Sequence, residues 1–189
     1  MDAITLLRED HHTVEQLFKK YEALGERAAK SKRTTVDKIV RELSVHAAIE
    51  EQFLYPVARE RAEKLADMAM ESLEEHLLVK LELSMLERMS PEDPRFDAKV
   101  TVLTELVRHH VKEEEKDLFP ALRQALTRNE LRELGEMMQA AKKSAPTHPH
   151  PGAPDEPPLN LAAGPAFAFV DRALDAGRGA VKRVRQRVS

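Results

Sequence analysis

A set of His and Glu residues in this sequence has the types and spacing of a metal-binding site. A His-x-x-x-Glu pattern occurs at His46 and Glu50 and again at His110 and Glu114. A His and a Glu four residues apart project from the same side of a helix, so both can reach one metal ion. Imidazole and carboxylate together suit iron, manganese or zinc. Because the chain has no Cys, we expect any metal to be held by these two ligand types.

The two patterns belong to a longer internal repeat. The segment HAAIEEQFLYP at 46–56 aligns with HVKEEEKDLFP at 110–120, with His, two Glu, Leu and Pro at the same offsets. A further His precedes each copy, since His11 lies 35 residues before the first and His76 lies 34 residues before the second. The repeat therefore predicts two equivalent half-sites, holding two metal ions related by a pseudo-twofold axis.

The apolar pattern predicts four helices that carry these side chains inward. Apolar residues recur every three or four positions through about 4–30, 35–63, 65–89 and 95–128. In each stretch a candidate ligand stands where the pattern calls for an apolar residue. The composition, 33% charged and 4% aromatic, also favours helices over sheets. Short connections predict an all-α, antiparallel up-down-up-down four-helix bundle.

The two Glu residues provide a physical reason for a metal. Burying an ionised carboxylate costs several kcal/mol even after relaxation. No Lys or Arg lies near Glu50 or Glu114 on the predicted inner faces. Metal cations would supply the missing positive charge, whereas a single core His would need no such partner. The combination therefore indicates a metal site.

These residues resemble the hemerythrin-like, or HHE cation-binding, family. The resemblance covers about residues 2–128 and rests on four motifs in order: Asp10-His11, His46-x-x-x-Glu50, Glu75-His76 and His110-x-x-x-Glu114 before Phe119-Pro120. It implies a four-helix bundle around an oxo- or hydroxo-bridged di-iron centre that binds or reacts with dioxygen, peroxide or nitric oxide. The ligands it implies are His11, His46, Glu50, His76, His110 and Glu114.

One position departs from the family's oxygen carriers. Those members have a second His four residues after the helix-three His, where this chain has Lys80. The missing ligand favours a redox or stress role, with catalase-like or oxidase activity, over oxygen carriage. Tyr55 is a further candidate ligand, although a regular helical turn would point it away from Glu50. Zinc and manganese are the alternatives to iron.

The sequence after the four helices changes character twice. We expect a short extra helix at 129–143, which completes a metal-binding unit of 1–143. Residues 144–165 contain seven of the eleven prolines and are expected to form a flexible linker, with His148 and His150 solvated.

The last segment, 166–189, has the pattern of a basic amphipathic helix. Six Lys or Arg stand against two Asp between Phe167 and Ser189. Such a helix could contact an anionic membrane or a protein, while its few aromatics give no clear sign of nucleic-acid binding. The alternative function is therefore a metal- or redox-sensing module whose tail engages a partner.

Composition gives two further expectations. The formal net charge of −3 indicates no particular partner. No apolar run approaches a membrane span, and the start of the chain lacks a secretory pattern, so we expect a cytoplasmic protein.

Overall fold

The described part of the chain contains helices and no strands. The computed structural model describes residues 1–155, 159–160, 163–172 and 174–175. Within residues 1–141 the helices are α1 (Ala3–Glu22), α2 (Ala29–Ile49), α3 (Tyr55–Arg61), α4 (Glu63–Arg88), α5 (Phe96–Glu113), α6 (Phe119–Ala125) and α7 (Arg128–Ala141). Two π-helical turns, Glu50–Leu54 and Glu114–Leu118, join α2 to α3 and α5 to α6.

Helices α1 and α4 and the two joined pairs form four antiparallel rods. At one end of the bundle Tyr21, at the end of α1, and Lys32, at the start of α2, each donate a 2.6 Å hydrogen bond to Asp97 at the start of α5. Arg33 donates at 2.8 Å to the carbonyl of Leu86, at the end of α4. The ends of α1 and α4 thus lie beside the starts of α2 and α5, as they do in an antiparallel bundle. The predicted helical bundle is confirmed.

Two apolar cores lie along the bundle, with a polar layer between them. The core around the start of α1 includes Ile4, Leu7, Leu54, Phe119 and Leu122. The core around the other end includes Phe18, Ile39, Leu83, Phe96 and Leu103. The polar layer contains the candidate ligands, so the apolar stripes of the helices bury this layer from both ends.

Pro56 and Pro120 lie within helical runs and do not end them. Each follows a π turn and occupies the first turn of a short α-helix, where a missing N–H is tolerated. The chain therefore remains helical to Arg61 and Ala125. Beside Pro56, Asn160 donates a 3.1 Å hydrogen bond to the Glu51 carbonyl.

Helix α7 packs across the first turn of α1. Thr127 and Glu130 form a capping box that starts the helix, because the Thr127 hydroxyl accepts from the Glu130 N–H while the Glu130 carboxylate accepts from the Thr127 N–H. Gly135 faces the start of α1 so closely that a Cβ there would lie 2.6 Å from the Met1 carbonyl. The helix crossing therefore depends on the absence of a side chain.

The proline-rich residues 144–155 lack regular helix but pack against other parts of the chain. His148 is 8% exposed and contacts Glu87 of α4, and Asp171 accepts hydrogen bonds from the N–H groups of Thr147 and His148. The expectation that His148 would be solvated is therefore wrong, because carboxylates on two elements hold its segment.

The C-terminal end of the chain is described in part. Residues 163–172 and 174–175 are helical, whereas most of the predicted basic helix, 176–189, lies outside the described residues. Among the described residues, no helix has both the length and the hydropathy that crossing a membrane requires.

Candidate metal centre

The four rods bring all six predicted ligands into one buried layer. α1 contributes His11, α4 contributes His76, and each His-x-x-x-Glu pattern lies where an α-helix passes into a π turn. All six side chains are at most 5% exposed: His11, His46, Glu50, His76, His110 and Glu114.

The ligand atoms form two clusters that share Glu50. One cluster comprises His11, His46, Glu50 and Glu114, and the other comprises Glu50, His76 and His110. Within each cluster the ligand atoms lie within 4.8 Å of one another. Glu50 therefore lies between two groups of imidazoles, as a carboxylate that bridges two ions would.

The imidazole Nε2 atoms point toward the carboxylates in this layer. His46 Nε2 lies 3.1 Å from Glu50 Oε2, and His76 Nε2 lies 3.4 Å from the same oxygen. The Glu114 Oε2 atom lies 3.2 Å from Nε2 of His11 and 3.5 Å from Nε2 of His110. Each carboxylate thus faces one His from each half of the repeat.

A carboxylate also faces the outer nitrogen, Nδ1, of each imidazole. Glu115 lies 2.9 Å from His11 Nδ1, Glu51 lies 2.9 Å from His76 Nδ1, and Glu75 lies 2.7 Å from His110 Nδ1. The fourth pair, Asp10 and His46, is 3.6 Å apart. Carboxylates in this place orient metal-ligating imidazoles and strengthen them as ligands.

The sequence motifs alone gave no role to these four acidic residues. Asp10 and Glu75 directly precede the first His of each half, and Glu51 and Glu115 directly follow the Glu of each His-x-x-x-Glu pattern. Their equal offsets in the two halves were a signal that could have found them. Glu51 and Glu115 each serve the His of the opposite half, which only the packed helices reveal.

The metal-free centre balances its charges internally. Burial lowers the pKa of His46, but the negative charge of Glu50 and the close contacts of the ring nitrogens with Asp10 and Glu50 together outweigh burial and raise the pKa to about 10. Burial likewise lowers the pKa of His76, but the hydrogen bonds that its ring donates to Glu50 and Glu51 raise the pKa to about 9. Burial raises the pKa of Glu50, yet the positive charge of His46 and the close contacts with the His46 and His76 rings together hold the pKa well below its usual value. The buried carboxylate is therefore ionised.

Several inward atoms are left without a hydrogen-bond partner, as a metal site requires. These buried atoms include Nε2 of His11, Nε2 of His46, Oε1 of Glu50 and Oε2 of Glu114. Buried polar atoms are normally satisfied, so convergent atoms of this kind fit a site that holds a cation. Their chemistry, imidazole nitrogen and carboxylate oxygen, fits iron, manganese or zinc.

A small cavity of about 20 Å³ adjoins the four imidazoles. Its other walls are apolar side chains, including Val14, Leu43, Val79 and Val107. A water-sized molecule fits such a volume. The cavity therefore gives a small ligand room beside the imidazoles, while the apolar walls exclude bulk water.

Tyr55 points into the centre, contrary to the regular-helix expectation. Its hydroxyl lies 3.0 Å from Glu114 Oε1, 3.1 Å from His76 Nε2 and 3.5 Å from Glu50 Oε2. The reason is the π turn, in which the Tyr55 N–H bonds the Glu50 carbonyl five residues back. That extra residue per turn places Tyr55 on the same face as Glu50.

Lys80, in the place of the oxygen carriers' second His, does not point at the ligand atoms as a ligand would. Its ammonium donates a 2.7 Å hydrogen bond to Glu51, the carboxylate that holds His76. The side chain of His109 is 61% exposed and lies near Glu75 and Glu113, at the rim of the centre. The neighbouring His110 is the one that faces inward.

The fold and the site together define a helical bundle with a buried His and carboxylate centre. The family model described as the Hemerythrin HHE cation binding domain matches residues 2–122. The chain therefore belongs to the hemerythrin HHE cation-binding family, as the motifs predicted.

Individual relatives agree with this assignment. A hemerythrin-like protein of Schizosaccharomyces pombe is 32% identical over 140 residues, which cover 74% of this chain and 69% of the relative. A DNA nickase of Nostoc is 29% identical over 142 residues, covering 75% of this chain but 39% of that protein. The crystal structure of a hemerythrin HHE cation binding domain-containing protein from Mycobacterium kansasii matches with a TM-score of 0.65 and 28% identity, covering 76% of this chain and 86% of the other.

Proposed function

We propose that this protein binds two iron ions and reacts with hydrogen peroxide or dioxygen, or binds nitric oxide, in a redox or stress role. The observation that supports this most is the pair of clusters that share Glu50. Two ions of like charge repel, and a carboxylate between them offsets that repulsion. Zinc and manganese remain alternatives for metal analysis to test.

The residues of the chain divide the work of such a centre. The four imidazoles would bind the ions through Nε2, and Glu50 and Glu114, which lie between the halves, would bind them through carboxylate oxygens. The outer carboxylates keep each ring in place. Bound iron would supply electrons and Lewis acidity. The apolar cavity would admit one small molecule and keep other solvent away from the reaction.

A redox role fits this chain better than oxygen carriage. Lys80 stands where the oxygen carriers have a second His four residues after the His that corresponds to His76, and it is engaged with Glu51 instead. An ion with fewer protein ligands has room to bind and activate a small molecule.

We also propose that Tyr55 ligates iron as a phenolate. Its hydroxyl lies within 3.5 Å of three ligand side chains. Burial and the charges of Glu114 and Glu50 hold the pKa of Tyr55 well above its usual value in the metal-free protein, so a metal ion would be needed to ionise it. The ferric protein should show a visible phenolate-to-iron absorption band. Tyr55→Phe should abolish that band while iron content is retained; an unchanged spectrum would contradict ligation.

Anaerobic loading with ferrous iron, followed by peroxide, tests the function. We expect two irons per chain, a near-ultraviolet charge-transfer band after oxidation, and rapid peroxide loss. His46→Ala should lose all three properties, whereas His109→Ala, on the exposed rim, should keep them. A preparation that prefers one zinc, or an iron-loaded protein inert to peroxide and dioxygen, would refute the proposal.

A further inference from the structure

An open groove between α1 and α5 lies beside the candidate metal centre. Its volume is about 610 Å³, within the range of roughly 300–1,000 Å³ that is typical of small-molecule sites. The buried side chains of His11, Phe18 and Val107 line its inner part, beside Val111 and Glu115. The floor of the groove is therefore largely apolar, and it includes His11, a residue of the candidate centre.

The charged side chains of the groove carry excess positive charge. The charged groups are Arg8, Arg108, Lys112, Lys116, Glu15 and Glu115. Four cations against two carboxylates leave a formal excess of two positive charges. Arg108 is paired with Glu15 at 3.0 Å and with Glu22 at 2.9 Å, and Arg8 lies 3.9 Å from Glu115, so the two arginines are already engaged. Lys112 and Lys116 are exposed and form no ion pair within the part of the chain that the structure describes.

The groove has a short connection to the candidate ligands. Glu115 lines the groove and lies 2.9 Å from Nδ1 of His11, whose Nε2 is 3.2 Å from Glu114. One imidazole ring therefore separates a molecule in the groove from the inner ligand atoms. That separation is short enough for an electron donor to serve the centre without entering it.

We propose that this groove binds an aromatic phosphate monoester, and that this ligand is the reductant of the metal centre. A phosphate monoester carries about −1.5 to −2 charges at pH 7, which matches the excess of the groove. Lys side chains bind phosphate as point charges, and the apolar floor would receive the ring. The reductant role rests on the proposed function. A donor DH2 gives two electrons and two protons to hydrogen peroxide, which yields D and two water molecules.

Ligand binding by the metal-free full chain tests the site independently of any reaction. The probes are flavin mononucleotide, riboflavin, which lacks the phosphate, and inorganic phosphate, which lacks the ring. We expect flavin mononucleotide to bind more tightly than either fragment by at least about tenfold. Riboflavin binding as tightly as flavin mononucleotide would overturn the phosphate assignment, and phosphate alone binding as tightly would overturn the aromatic one.

Charge variants locate the site. Lys112→Glu combined with Lys116→Glu should weaken flavin mononucleotide binding by about tenfold or more. Lys38→Glu combined with Lys64→Glu makes the same change of net charge on exposed positions outside the groove and should bind as the unmodified protein does. Equal affinity in both variants would overturn the proposal. If the groove variant fails to fold, Arg8→Gln on the opposite rim should weaken binding and serves as the second test.

Anaerobic oxidation of reduced flavin mononucleotide by peroxide tests the donor role. Iron-loaded protein should accelerate it over metal-free protein, and the groove variant should need a higher flavin concentration for the same rate. Normal binding without iron-dependent flavin oxidation, in protein that still consumes peroxide, would overturn the donor role. Flavin binding by iron-loaded protein that is inert to peroxide would instead refute the proposed function and leave the binding site standing.

Discussion

At the scale of single residues, protons and metal ions compete for the same atoms of the centre. In the metal-free protein, the raised pKa values of His46 and His76 mean that both imidazoles carry a proton at neutral pH. The positive charge of each ring then offsets the buried carboxylates. A metal ion can bind only where these protons leave, so metal affinity is linked to pH.

This competition predicts that the stability of the protein depends on pH differently with and without metal. The pKa of His46 rises from about 6.5 in the unfolded chain to about 10 in the folded one. Its stabilisation of the metal-free protein is therefore complete below pH 6.5 and is lost as pH rises through 10. The free energy of unfolding of the metal-free protein should fall between pH 7 and 10, whereas that of zinc-loaded protein should not.

Calorimetry in buffers of different ionisation enthalpy gives the matching measurement. Zinc binding near pH 7.5 should release on the order of two protons, one each from His46 and His76. Metal binding without proton release would contradict the charge balance described for the centre.

The outer carboxylates give a second prediction at this scale. Glu75→Gln replaces the charged partner of His110 Nδ1 with a neutral amide of the same shape. Loss of an outer partner typically costs 10–100-fold in metal affinity, and we expect a loss of about that size in a competition assay with a chelator. Glu74→Gln, at the exposed neighbouring position, is the control and should bind as the unmodified protein does. Equal affinities in the two variants would show that the outer contact is dispensable.

At the scale of elements, local departures from regular helix do most to shape the site. Each π turn begins at a ligand Glu and ends before an aromatic residue, Tyr55 or Phe119. The Tyr55 hydroxyl reaches the ligands, and the Phe119 ring stacks on His11 with 5.7 Å between ring centroids. The same backbone irregularity thus delivers a polar group to one half-site and an apolar wall to the other.

The contact between α7 and α1 gives a prediction for an element far from the ligand atoms. Gly135→Ala would put a Cβ 2.6 Å from the Met1 carbonyl, so the helices must separate. We expect a loss of about 1–3 kcal/mol in the free energy of unfolding, measured with urea. Gly25→Ala, where a Cβ meets nothing within 4 Å, should change stability little. A neutral Gly135→Ala would show that α7 can shift at no cost.

At the scale of the whole molecule, the centre divides the apolar interior. The two cores lie on opposite sides of the buried ligands, and those ligands come from all four rods. Metal binding would therefore link the four rods at the middle of the bundle. The two apolar cores link the same rods on either side of the centre. Because the unfolded chain lacks the assembled site, the free energy of binding adds to the stability of the fold.

Thermal unfolding measures this coupling. At free metal near 100 times Kd, stabilisation should be about 2.7 kcal/mol. For a domain of this size that corresponds to a rise in Tm of roughly 5–10 °C. The rise should persist in His109→Ala and be absent in His46→Ala, since only His46 faces the centre. If metal does not change the Tm of the unmodified protein, the proposed coupling is refuted.

Much of the fold could be predicted from the sequence because its signals are periodic. The spacing of apolar residues identifies helices, and the repeat at 46–56 and 110–120 singles out His and Glu residues at equal offsets. Those properties belong to single helices, for which a period of 3.6 residues decides which side chains share a face. The sequence by itself therefore determined the helical class and the six His and Glu side chains that meet in the interior.

Only the tertiary structure decided how those side chains meet. Glu51 holds the His of the other half, and His148 packs against α4 across the chain, since both contacts depend on how separate elements pack. Tyr55 reaches the centre because a π turn shifts the backbone hydrogen bonds by one residue. A pattern of apolar residues records which face is buried, but it does not record a change of hydrogen-bond register or the partner across an interface.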